Sequence, residues 1–71
     1  MKRVELIRRA RRAAGAAGLH FGLVRQGGSH EIWACGETRV TLPRHREINE
    51  QTVARIAHEL EGELGRDWWK R

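Results

Sequence analysis

Arg25-Gln26-Gly27-Gly28-Ser29-His30 sets a guanidinium, an amide, a hydroxyl and an imidazole around two glycines. Imidazole gives and takes protons near neutral pH. Glycine lets a backbone turn sharply or approach a ligand closely. In a small basic chain, this combination suits chemistry on a phosphodiester. The same pattern also fits an exposed strand histidine or one that stabilises its turn by a hydrogen bond. Ser29 reads as an orienting or phosphate-contacting hydroxyl, because no Ser-His-acid arrangement accompanies it.

Other residues extend the candidate site. Arg44-His45-Arg46 stands just before a helix start, a place that attracts phosphates. His45 is a candidate for a second proton-transfer group, or a solvated loop imidazole. Arg8 and Arg12 belong to a cluster with Arg9 and Arg11 that faces solvent if the neighbouring alanines are buried. That cluster suits an RNA backbone, an acidic partner or plain solvation. Trp33 has the opposite strand parity from Ile32 and Ala34. Read as outward, its ring would stack a base or be covered by a partner or by the chain's own tail. His20 and His58 read as surface residues.

The elements that must position these groups follow from periodicity. Residues 2–17 read as a helix, with Leu6, Ala10, Ala13, Ala14 and Ala17 at helical spacing, joined by Val4 and Ile7. Gly18 is its expected stop, with Gly15 an earlier alternative. Residues 19–25 read as a strand, with Leu19, Phe21 and Leu23 on one face. Residues 31–35 form a second strand, with Ile32 and Ala34 inward. Gly36-Glu37 makes a tight reversal into a third strand, 38–42, with Val40 and Leu42 inward. Pro43 ends it. Asn49 is the N-cap of a helix over 50–64, with Ile48 and Val53 spaced as a hydrophobic staple. Residues 65–71, including Trp68-Trp69, show no periodicity. The order predicts an α+β fold: an α-β-β-β-α two-layer sandwich, with a three-stranded antiparallel sheet and both helices on one face. Its topology resembles that of double-stranded-RNA-binding domains.

The 71 residues form a single domain, 1–71, with room for only a modest core. Fourteen Lys and Arg against nine Asp and Glu give a formal charge of +5, which favours a polyanion or an acidic protein as partner. Cys35 stands alone, so no intrachain disulfide forms, and a single thiol fits a reducing cytoplasm. Its place is in a strand. One cysteine and four scattered histidines do not make a zinc spacing, so no metal is expected. No apolar run suffices for a signal peptide or a membrane span.

One set of residues carries a family resemblance. Gly28-Ser29-His30 follows a strand ending Leu23-Val24-Arg25-Gln26. Val40-Thr41-Leu42-Pro43-Arg44-His45 comes next, and Glu47-Ile48-Asn49 then opens a helix. From about Leu19 to Leu64 the chain resembles the HicA family of bacterial toxins, mRNA interferases paired with HicB antitoxins. The resemblance implies a double-stranded-RNA-binding-like fold and an endoribonuclease with its catalytic histidine at His30. It also implies mRNA as substrate and a HicB-like antitoxin as partner. Many relatives carry lysine where this chain has Gly27, and the Trp68-Trp69 tail is not a general family feature.

RNA supplies its own nucleophile, the ribose 2′-hydroxyl. Cleavage then needs a base, an acid for the leaving 5′-oxygen, and cations around the charged transition state. One imidazole serves one of those proton roles, with Ser29 and His45 in support. No cofactor is required. Arg25, Gln26, Gly28, Ser29, Trp33, Arg44, Arg46, Arg8 and Arg12 are the expected RNA contacts. An RNA-binding module without catalysis, or an interaction domain for an acidic partner, would use the same basic surface.

Overall fold

The computed structural model describes residues 1–70. The chain runs through α1 (Arg3–Ala16), β1 (Phe21–Gln26), β2 (His30–Cys35), β3 (Thr38–Pro43), α2 (Glu50–Glu59), a short α3 (Glu61–Leu64) and a 3₁₀ turn (Trp68–Lys70). The strands make one antiparallel sheet in the order β1-β2-β3. Both long helices bury their apolar stripes against one face of it, giving the expected two-layer α+β sandwich.

Local signals explain the boundaries. Gly18 ends α1 in the left-handed region at φ 73°. Leu19 N–H then donates to Ala14 O and Gly18 N–H to Gly15 O, which completes a Schellman motif. Asn49 caps α2 as expected, its Oδ1 accepting from Thr52 N–H at 2.8 Å. Ile48 and Val53, either side of that cap, are both buried. Gly36 turns β2 into β3 at φ 60°, the glycine-first geometry of a type II′ hairpin. The expected 50–64 helix is broken at Leu60 into α2 and α3.

Leu6, Ile7, Ala10 and Ala14 of α1 meet Phe21, Trp33, Cys35, Val40 and Leu42 of the sheet. Val53, Ile56, Ala57, Leu60 and Leu64 close the other side. The alanines let α1 sit close to the strands, as expected. Val4, assigned to that stripe, is instead 69% exposed, and Ala17 is exposed as well. The tail is not an appendage. Trp68 is 1% exposed and its indole N–H donates to Ala57 O at 3.0 Å. Arg9 holds the next residue by donating to Trp69 O at 2.6 Å.

Two expectations for the strands are overturned. Trp33 does not face outward: it is 5% exposed, stacks on Phe21 at 5.0 Å between centroids, and lies under the Arg11 guanidinium. Glu31, Trp33 and Cys35 form the helix-facing set of β2, while Ile32 and Ala34 are half-buried on the outer face. β2 is the central strand and apolar on both faces, so alternation alone did not tell inside from outside. Leu23 keeps the face of Phe21, opposite inward Trp33, but the helices do not cover it. The β1–β2 register slips between Leu23 and Arg25, leaving Leu23 and Val24 each 47% exposed.

Candidate active site

The slip in β1 is what aims Arg25. Strict alternation would put Arg25 on the same side as Phe21, facing the helices. The extra residue instead sets Arg25 opposite Ile32, on the outer face of the sheet. His30, two residues before Ile32 on β2, shares that face. Arg25, Gly27, His30, Ile32 and Thr41 line one open hollow of about 440 Å³. His30 opens β2 opposite Pro43, and Gly27 N–H donates to His30 O at 2.9 Å to close the turn. Ser29 Oγ lies 3.2 Å from His30 Nδ1. The hydroxyl therefore engages one ring nitrogen and leaves Nε2 as the atom for exchange with a ligand.

The opposite side of the same turn holds a buried acid that the sequence reading passed over. Glu31 Oε1 accepts from Trp33 Nε1 at 3.1 Å and from Arg3 Nη2. Glu31 Oε2 lies 3.9 Å from Arg44 Nε. Arg44 in turn donates through Nη1 to Gly27 O at 3.3 Å and Gly28 O at 3.2 Å. Its backbone N–H donates to Ser29 O at 3.0 Å. Arg44 thus clamps the glycine turn from below while Glu31 holds the arginine in place. A carboxylate this buried is tolerable only with such cationic partners.

Neither Gly27 nor Gly28 has a positive φ. A Cβ on Gly28 would meet nothing within 4 Å, and one on Gly27 would lie 3.2 Å from His30 O. The turn's own conformation therefore does not demand glycine at position 28. What the bare backbone there provides is open space beside Ser29 and His30.

The remaining sequence-predicted residues divide. Gln26 is exposed and pairs with Glu31 in the ladder. Arg46 is exposed on the loop after β3, beside Arg44. His45 is exposed on that loop but does not line the His30 hollow. Arg8 and Arg12 are exposed on α1, away from the hollow, and Arg8 is bound to Glu5 at 2.6 Å. Glu5 also takes Arg9 at 2.9 Å. Hydrogen bonds from Arg9 and then Arg8 hold its carboxyl at a pKa of about 2. Trp33, being buried, is not available to stack a base. Burial, with Glu63 nearby, pushes the Cys35 thiol up, which fits a structural strand residue rather than a nucleophile.

Glu31 had a signal in the sequence. It shares parity with Trp33 and Cys35, so taking the bulky indole as inward would have carried the acid inward with it. Arg3 and Trp68 had none that periodicity exposes. Among the described residues no group of three or more His, Cys, Asp and Glu is placed to hold a metal ion. Among the described residues no helix is long and apolar enough to cross a membrane.

Comparison with known proteins gives the family. The family model of the HicA toxin of bacterial toxin–antitoxin systems matches residues 7–61. No curated protein and no solved structure matches the chain. The matched stretch takes in all three strands, the His30 turn and α2, and on that match the protein belongs to the HicA toxin family.

Proposed function

We propose that this toxin is an endoribonuclease that cleaves mRNA, with His30 as its catalytic histidine. The observation that carries the reading is the presentation of His30. Its imidazole is exposed beside Arg25, with Ser29 on Nδ1 and open backbone at Gly28. The scissile phosphodiester sits in that hollow. The ribose 2′-hydroxyl attacks the phosphorus, and the bond to the 5′-oxygen breaks, leaving a 2′,3′-cyclic phosphate. His30 Nε2 transfers one of the two protons this requires, a role worth about 10²- to 10⁴-fold, and solvent water exchanges the other. Arg25 stabilises charge on the phosphoryl oxygens. Ser29 orients the ring.

The scheme uses no metal, so cleavage persists in excess EDTA. A purified cleavage assay comparing wild type with His30→Ala tests the assignment. Retention of near wild-type cleavage by a folded His30→Ala protein would refute it. A HicB-like antitoxin inhibits by covering the same turn. Hydrogen exchange of that complex should show protection at residues 25–30 and 43–46. It should not involve Trp33, which is already inside the core.

A further inference from the structure

A second cationic site lies on the other side of the turn. The first turn of α1 is tied to the segment after β3 by backbone pairing. Arg3 N–H donates to Arg46 O at 2.9 Å, and Lys2 and Glu47 form an isolated antiparallel bridge. This pairing gathers Lys2, Arg3, Arg44 and Arg46, with Val4, around a cleft of about 350 Å³. Glu31 is the single acid set against Arg3 and Arg44. Lys2 and Arg46 make no ion pair among the described residues. Arg3 Nε is buried with no hydrogen-bond partner. Four cations stand against the buried Glu31, and the neighbouring Glu47 is already paired with the N-terminal ammonium at 3.1 Å, so the cleft keeps a local surplus of positive charge, which favours an anion.

We infer that this cleft is a phosphate subsite for the RNA strand, taking a phosphodiester that flanks the scissile one. The inference rests on the ribonuclease reading above and deepens it. His30 and Glu31 are neighbours on β2 and point to opposite faces, so the hollow and the cleft lie on opposite sides of the turn. One phosphate does not reach both. A strand delivered to His30 crosses the turn at Gly28, where no side chain stands, and its next phosphates meet the cleft. Arg44 belongs to both sides: it clamps the carbonyls of the turn and lines the cleft. The cleft concentrates cations, which suit phosphate oxygens of any sequence, so its contribution is to the grip and direction of the strand.

The test uses a 2′-O-methyl oligoribonucleotide, which keeps every phosphate but lacks the nucleophile. Neutral methylphosphonate linkages replace its phosphates one at a time, and binding is measured with wild type and with Lys2→Gln/Arg46→Gln. Both residues are exposed, and thermal unfolding verifies that the variant is folded. If the double variant is unstable, each single variant carries the same comparison. Neutralising one flanking linkage should weaken wild-type binding about tenfold, as expected for a lost hydrogen bond to a charged group. The same change should cost the variant little further. The variant's slope of log affinity against log salt should fall by about 0.7 per lost contact. Equal penalties at every linkage in wild type and variant overturn the subsite. So does a variant that keeps its RNA affinity and loses only affinity for an acidic antitoxin. Because the probe is not cleaved, this outcome is independent of His30→Ala on cleavable RNA, where the catalytic reading stands or falls.

Discussion

The two faces of β2 do different work with alternating residues. Outward, His30 is exposed, Ile32 and Ala34 are half-covered, and the neighbouring strands contribute Arg25 and Thr41. Inward, Glu31, Trp33 and Cys35 are buried under the helices. A substitution on the outer face should therefore change chemistry without changing stability, and one on the inner face the reverse. Arg44 joins the two, since it pairs with the inward Glu31 and donates to the carbonyls of the outward-presenting turn.

The sharpest break is Trp33→Ala. Truncating a buried aromatic costs about 3–5 kcal/mol. That is comparable to the whole stability expected of so small a domain. Denaturant titration should show loss of the cooperative transition, together with loss of the Phe21 stacking contact. A variant that unfolds like wild type would mean that the inner face is not the core. On the outer face, His30→Ala should lower cleavage by about 100-fold or more. Its unfolding free energy should stay within about 0.5 kcal/mol of wild type, as for other exposed positions. A large drop in stability would return His30 to a structural role.

Glu31→Gln tests the connection between the faces. It keeps an acceptor for Trp33 Nε1 but leaves Arg3 and Arg44 facing a neutral group. We expect about 1–3 kcal/mol of destabilisation. Faster amide exchange at Gly27 and at Arg44 should accompany it, because the clamp loosens. Wild-type exchange at both amides would show that Arg44 holds the turn without Glu31.

The smallest effects concern groups far from the hollow. Glu5 has its pKa lowered from the usual 4.5 to about 2 by Arg9 and Arg8. Its contribution is therefore complete above pH 4.5 and is lost as pH falls toward 2. Glu5→Gln should remove part of the acid sensitivity in that window, and pH-dependent unfolding of the two proteins compared side by side measures it. Cys35 is fully buried and its thiol is pushed up. Alkylation in the native state should accordingly be slow and should accelerate only in denaturant. Fast native labelling would contradict the inward assignment of β2's second set.

The locally encoded features were legible from residue types alone. The Gly18 stop, the Asn49 cap with its Ile48–Val53 staple, the Gly36 reversal and the order α-β-β-β-α each depend on a few adjacent residues. So did the placement of Ser29 and His30 on a turn between strands. The basic residues near them were legible as charges, without their partners.

What tertiary structure decided is which side each residue faces and what it meets. A central strand that is apolar on both faces carries no inside–outside label, so only packing of α1 on Phe21 and Trp33 settled the direction of Glu31. The bulge that turns Arg25 toward His30 is a register event between two strands, invisible in either one. Arg44 clamps a turn sixteen and seventeen residues away, and Arg3 reaches Glu31 across 28. Trp68 enters the core through a contact with Ala57 that no period announces. Periodicity records how a segment meets one surface. Non-local contacts record where the rest of the chain has gone, and the candidate site is built from those.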